Sequence, residues 1–126
     1  EGTDVTIIAT LLMMHRAMQA AELLEKDGIS AEVLDPRSLV PFDWQLVRSS
    51  ITKTGRVITV AESPKRAGLG AEIAATIAED MSDLLKAPVK RVAAPNTPVP
   101  FSPPMEQFYV PSVKRIVEAA RAKVSL

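Results

Sequence analysis

Four short runs of branched aliphatic residues, separated by segments with helical apolar spacing, constrain this chain more than any other feature. The first run is Val5-Thr6-Ile7-Ile8-Ala9-Thr10, apolar without alternation, as in a strand buried on both faces. Met14, Ala17, Met18, Ala21 and Leu24 then recur at helical spacing, with Arg16, Gln19, Glu22 and Lys26 opposite, until Gly28 ends the pattern. Ala31-Glu32-Val33-Leu34-Asp35 reads as a second strand, closed by Pro36, which has no N–H for a ladder. A second helix opens at Pro41-Phe42-Asp43-Trp44 with Asp43 as N-cap, and Trp44, Val47 and Ile51 share a face up to Gly55. The third strand is Arg56 to Ala61, followed by a loop from Glu62 to Gly70. Ile73, Ala74, Ile77, Ala78, Met81, Leu84 and Leu85 form the stripe of a third helix whose Glu72, Glu79, Asp80 and Asp83 face out. Val89 to Ala93 is a fourth strand, and a last helix begins near Pro111-Ser112 with Val113, Ile116, Val117 and Ala120 inward.

Strands and helices that alternate in this way predict a parallel sheet covered by helices on both faces, an α/β/α sandwich, for which the visible strand order is taken as 2-1-3-4. The 126 residues suit one domain, residues 1–126, with no internal repeat or boundary. Aromatic residues make up only 4% against 47% hydrophobic, which fits small helices packed on aliphatic strands.

Charge excludes several functions. Fifteen basic residues balance fifteen acidic ones, so there is no basic surplus for nucleic acid and no polybasic cluster for a membrane surface. The longest apolar run, Ile7 to Met14, is too short to span a bilayer. Without cysteine there is neither disulfide nor thiolate chemistry, compatible with the cytoplasm or an organelle matrix. The start Glu1-Gly2-Thr3 lacks an initiator Met and suggests an excised or processed piece of something longer.

Candidate chemistry is sparse. Ala67-Gly68-Leu69-Gly70-Ala71 precedes a helix and offers backbone N–H groups to an anion, but it matches neither the dinucleotide fingerprint nor a P-loop. His15, the sole histidine, has no partner at triad or metal spacing and reads as a surface or interface residue. Ser63 in Glu62-Ser63-Pro64 lacks the glycines of a nucleophile elbow. Met13, Met14, Met18 and Met81 fit core positions. No catalytic, cofactor-binding or metal-ligating residue is assigned.

Two features point to protein neighbours instead. The crevice of such a sheet lies between Thr10-Leu11 and Glu62-Ser63, yet the turn there reads Leu11-Leu12-Met13-Met14, four large apolar side chains without hydrogen bonds to give a nucleotide. Between Pro95 and Pro111 lie six of the ten prolines, interleaved with Val99, Phe101, Met105, Phe108, Tyr109 and Val110. That composition describes an extended strap packed onto something rather than a solvated linker. The acidic positions Glu79, Asp80 and Asp83 are a solvated face, or a docking face for a small basic partner domain.

With these segments in order, the chain resembles the transketolase-type carboxyl-terminal domain of the beta subunit of 2-oxo acid dehydrogenases of the pyruvate, acetoin and branched-chain type. The resemblance spans essentially the whole chain. It is carried by Asp4 to Ala9, Gly28 to Val33, Asp35-Pro36-Arg37-Ser38-Leu39-Val40-Pro41-Phe42-Asp43, Lys53 to Val57, Gly68 to Ala74 and Ala87 to Val92. Its most specific parts are Pro95-Asn96-Thr97-Pro98-Val99-Pro100-Phe101-Ser102-Pro103-Pro104 and Tyr109-Val110-Pro111-Ser112.

The resemblance implies a three-layer domain with one further antiparallel edge strand before the first residue. It also implies a role in assembly within an α2β2 enzyme that decarboxylates a 2-oxo acid and transfers the acyl group to a lipoyl group. Thiamine diphosphate and Mg²⁺ would then lie elsewhere in the parent enzyme, and none in this domain. The implied partners are a second beta subunit, the alpha subunit and the dihydrolipoyl acyltransferase core. By match to the proline segment, Pro98, Pro100, Phe101, Pro103 and Pro104 belong to a subunit interface, with Leu11, Leu12, Phe108 and Tyr109 beside them. The chain departs from the family at Leu11-Leu12, where members commonly carry a small or polar residue followed by a cation. Two other readings remain: a standalone nucleotide- or anion-binding α/β domain, and the equivalent domain of transketolase or deoxyxylulose-phosphate synthase.

Overall fold

The computed structural model describes residues 2–9, 13–34, 44–64, 69–94 and 113–124, with the backbone alone for 61–64, 69–72 and 93–94. Its elements are β1 (Val5–Ala9), α1 (Met14–Lys26), β2 (Ala31–Leu34), α2 (Trp44–Thr54), β3 (Val57–Pro64), α3 (Leu69–Asp80), a 3-10 turn (Ser82–Leu84), β4 (Lys90–Ala94) and α4 (Val113–Val124). The sheet runs β2-β1-β3-β4 and every pairing in it is parallel, with Ile7 opposite Val33 on one side and Ile58 on the other. None of these strands is the antiparallel edge strand that the resemblance implies.

Period-two alternation divides the strands between two cores. Val5, Ile7, Ala9, Ile58, Val60 and Val92 pack against Ala17, Ala20 and Leu24 of α1 and Ile116, Val117 and Ala120 of α4. Ile8, Leu34 and Val57 face the other way, onto Val47 and Ile51 of α2 and Ile73 and Ile77 of α3. Helices therefore cover both faces, the architecture that the element order predicts. All five residues of β1 are buried, which explains its unbroken apolar run. Each fully buried Ile or Leu contributes roughly 2 kcal/mol of transfer free energy.

Helix ends follow local chemistry. Gly28 adopts φ +78° after α1, where its N–H donates to the Glu25 carbonyl at 3.0 Å and that of Ile29 to the Leu24 carbonyl at 2.9 Å. That is the glycine-ended C-terminal turn, with Ile29 packed on the core that holds Leu24. Gly55, at φ +68°, ends α2 and accepts at its carbonyl the Lys86 N–H at 2.7 Å, which docks the segment after the 3-10 turn.

Several positions differ from the sequence reading. The α1 stripe is Met13, Ala17, Ala20 and Leu24, so Met18 is exposed; small alanines let the helix lie close to the sheet and turn the longer side chain outward. The third helix ends at Asp80 and the chain tightens into the 3-10 turn, leaving Ala78 exposed while Met81 stays in the core. β3 continues through the expected loop to Pro64, across a register irregularity between Val60 and Pro64 where it pairs with β4. The proposed cap Asp43 lies outside the described residues.

Candidate functional site

In a sheet of this order the connections from β1 and from β3 leave to opposite sides, so β1 and β3 flank the reversal point. Of the residues expected there, Thr10, Leu11 and Leu12 lie outside the described residues, and Glu62 and Ser63 are described as β3 backbone only. Met13 is 4% exposed and joins the α1/α4 core, with Met14 packed against it. Met13 and Met14 thus take the core-compatible positions expected of them, so two of the four apolar side chains at this turn face inward. The strap residues Pro98, Pro100, Phe101, Pro103, Pro104, Phe108 and Tyr109 also lie outside the described residues.

The acidic positions are described. Glu79 and Asp80 end α3, Asp83 sits in the 3-10 turn, and all three are exposed. An α2 arginine, Arg48, donates from Nη2 to the Asp80 carbonyl at 3.2 Å, so a cation meets the negative end of α3. His15 is exposed in the first turn of α1. Exposed large apolar side chains are Met18 and Leu23 on α1 and Leu46 on α2. No three His, Cys, Asp or Glu side chains gather as metal ligands do among the described residues. No described helix is long and apolar enough to cross a membrane.

The polar side chains that do converge serve the interior, a cluster that sequence reading missed. Thr6 of β1 is fully buried, with its Oγ1 2.7 Å from Ser50 Oγ and 2.7 Å from Thr54 Oγ1, both on α2. Ser50 donates in turn to Glu32 Oε2 of β2, and Lys53 Nζ donates to Glu32 Oε1 at 2.9 Å. The Arg56 N–H reaches Thr54 Oγ1 at 3.4 Å. Each hydroxyl has one proton, and an ionised carboxylate only accepts. One direction that makes all of these bonds runs from the Arg56 N–H through Thr54, Thr6 and Ser50 to Glu32, and the Arg56 carbonyl, 3.2 Å from Thr54 Oγ1, is a second acceptor for the Thr54 proton.

Burial pushes the Glu32 carboxyl up, but the Ser50 and Lys53 hydrogen bonds with the Lys53 charge outweigh it and hold the group below the ordinary value of 4.5. The spacing of Ser50 and Thr54 on one helical turn, facing inward beside Val47 and Ile51, was the available sequence signal.

Comparison with known proteins places these features. Residues 1–116 match the family model described as "Transketolase, C-terminal domain". The chain is 44% identical over 121 residues to the acetoin:2,6-dichlorophenolindophenol oxidoreductase subunit beta of Cupriavidus necator, covering 96% of this chain and 36% of that protein. It is 47% identical over 121 residues to the pyruvate dehydrogenase E1 component subunit beta of Bacillus subtilis, covering 96% and 37%. The mitochondrial pyruvate dehydrogenase E1 component subunit beta-1 of Oryza sativa is 45% identical over 121 residues, with 96% and 32% covered. The chain thus spans about a third of the length of these relatives. A solved structure titled "Split gene transketolase, inactive beta4 tetramer" superimposes with a TM-score of 0.84 at 33% identity, over 100% of this chain and 40% of that one.

Proposed function

The chain belongs to the transketolase C-terminal domain family, and from that premise we propose that it is the assembly domain of the beta subunit of a 2-oxo acid dehydrogenase. The observation that carries this reading is the similarity of 96% of the chain to beta subunits of acetoin- and pyruvate-metabolising enzymes at 44–47% identity. It is supported by where the described polar groups go. The hydroxyls of Thr6, Ser50 and Thr54 bond to one another, and the Asp4 carboxylate accepts the Ser30 N–H at 2.7 Å. These groups hold β1 to α2 and to the turn before β2.

In this proposal residues 1–126 are one domain of a longer subunit, whose parent reaction is oxidative decarboxylation of a 2-oxo acid with acyl transfer to a lipoyl group. Thiamine diphosphate and Mg²⁺ belong to the parent enzyme. The described residues do not fit them, since no set of carboxylates converges to hold a cation and the hydroxyls that do converge, those of Thr6, Ser50 and Thr54, are bonded to one another. Leu11, Leu12 and the strap residues Pro98, Pro100, Phe101, Pro103, Pro104, Phe108 and Tyr109 form contacts to a second beta subunit and the alpha subunit. Prolines whose dihedrals are already set lose less entropy when such a strap orders against a neighbour. Glu79, Asp80 and Asp83 offer an exposed acidic face to a basic domain of the acyltransferase core. The compartment that goes with this role is the cytoplasm, or the mitochondrial matrix in a eukaryote.

Sedimentation of the protein over a concentration series tests the proposal. Self-association is expected, weakened about tenfold or more by Phe101→Ala or Leu12→Asp, the loss of roughly 1.4 kcal/mol or more from an interface anchor. A monomer at every concentration, or saturable micromolar binding of a nucleotide at Gly68 to Gly70, would overturn it in favour of a ligand-binding domain.

A further inference from the structure

Each hydroxyl in the row of Thr54, Thr6 and Ser50 has one proton to give, and the charge state of Glu32 decides in which direction it is given. Two hydroxyl–hydroxyl contacts of 2.7 Å, Thr6 with Ser50 and Thr6 with Thr54, hold one proton each, and either partner can supply it. The two ends of the row differ. At one end stands Glu32 Oε2, which accepts from Ser50 while the carboxylate is ionised. At the other, Thr54 Oγ1 lies 3.4 Å from the Arg56 nitrogen and 3.2 Å from the Arg56 carbonyl oxygen, so it meets a backbone donor and a backbone acceptor together.

With Glu32 ionised, Ser50 gives its proton to the carboxylate, so Thr6 gives to Ser50 and Thr54 gives to Thr6. The Arg56 carbonyl is left with the Thr6 N–H, at 2.8 Å. A proton arriving on Glu32 cannot sit on Oε1 without displacing Lys53, whose ammonium only donates and holds that oxygen at 2.9 Å. It therefore sits on Oε2, facing Ser50. Two protons do not fit in that contact, so Ser50 turns and accepts. Ser50 then gives to Thr6, Thr6 to Thr54, and Thr54 to the Arg56 carbonyl. Three hydroxyls rotate, and every contact in the row still holds one proton. The charges acting on Glu32 are Lys53 of α2 and the amino terminus. β1 sets the neutral Thr6 opposite it, and α1 packs against the other face of β2, where Ala31 and Val33 point.

We infer that Glu32, Ser50, Thr6 and Thr54 form a proton-driven switch of hydrogen-bond direction, which carries the charge state of a carboxyl on β2 to the backbone where β3 begins. Its output is one added donor on the Arg56 carbonyl, the same oxygen that takes the Thr6 N–H and so ties β1 to β3. Acid thus reaches the central strand pair through hydroxyl rotation alone. The switch uses no residue of the acidic face or of the strap, and it does not depend on the assembly reading.

Carbonyl-carbon NMR of the protein tests the switch at neutral pH, because Glu32→Gln supplies the reversed state without acid. The new amide oxygen takes Lys53, and the amide NH₂ donates to Ser50. A carbonyl carbon moves downfield when it gains a hydrogen-bond donor, so the Arg56 carbonyl is expected to move downfield in Glu32→Gln. In a Thr6→Val background, which cuts the row, the same replacement is expected to leave that carbon where it stands. No downfield movement in Glu32→Gln, or an equal movement in both backgrounds, overturns the inference. Acid titration of the wild type should move the same carbon the same way, with the midpoint of the Glu32 carboxyl carbon, and a different midpoint also overturns it. Should Thr6→Val fail to fold, Ser50→Ala cuts the row at the next hydroxyl and is read by the same two outcomes.

Discussion

Thr6 on the first strand and Ser50 on the second helix, 44 positions apart, are both buried and joined by one hydrogen bond of 2.7 Å. Thr6 is shared, because Thr54 lies at the same distance on its other side. A parallel sheet takes its strand register from the ladder, but nothing in that ladder fixes a helix lying across it. These hydroxyls do, since α2 cannot slide without leaving at least two of them unpaired in the core.

Thr6→Val keeps shape and β-propensity while removing the hydroxyl that Ser50 and Thr54 share, which leaves Ser50 its bond to Glu32 and Thr54 its bonds to the Arg56 backbone. A loss of roughly 1–3 kcal/mol is expected from urea denaturation. A double-mutant cycle with Ser50→Ala should show coupling of about 0.5 kcal/mol or more, because each single change already breaks the shared bond. Strictly additive losses would mean that the two hydroxyls do not act together.

Thr59 gives the opposite expectation. It lies on β3, 2% exposed, and its Oγ1 is buried with no hydrogen-bond partner. Thr59→Val removes an unpaid desolvation cost at constant shape, so the variant is expected to be more stable by about 1 kcal/mol. A rise in the urea midpoint at unchanged slope checks this, and a fall would show that the hydroxyl is satisfied in solution.

Glu32 predicts an acid limb in the stability profile. Its folded value lies below the unfolded one of 4.5, so ionised Glu32 favours the native state. That contribution is fully present above the unfolded value and is lost as pH falls through the folded one. Urea midpoints measured from pH 6 down to pH 3 should drop, and Glu32→Gln should flatten part of the drop while lowering stability at pH 6. An unchanged limb in the variant would assign the acid sensitivity to other carboxylates.

Gly2 tests backbone crowding. A Cβ there would stand 2.3 Å from the Ala31 carbonyl carbon and 2.5 Å from the Glu32 nitrogen, and neither backbone atom can rotate aside. Gly2→Ala should therefore push the start of β1 away from β2, lowering Tm by about 4 °C or more, the shift that 1 kcal/mol brings in a domain this small. Gly28→Ala meets nothing within 4 Å and is limited to the strain of its positive φ, roughly 1 kcal/mol. Equal losses at the two sites would contradict the crowding.

Element types and layer assignment were legible in the sequence because both follow from local periodicity, which strand order does not. Val5 to Ala9 had to be central, and Val47 with Ile51 had to face the sheet. Met18 misled because helical spacing admits two neighbouring stripes, and packing chose the one whose alanines allow close approach. The end of α3 was blurred because Met81, Leu84 and Leu85 keep apolar spacing through a change from 3.6 to 3.0 residues per turn. Of the hydroxyl chain only the shared helix face of Ser50 and Thr54 was visible, since its partners Thr6 and Glu32 lie on two other elements that meet it only after folding.

The grip of Arg56 on the backbones of Asp4 and Lys123 has a mechanical consequence. Tension between the two ends of the described chain would therefore pass partly through one guanidinium, beside the apolar face of the last helix and its Arg121–Asp27 pair. Removing that arm would leave those other contacts to carry the whole load.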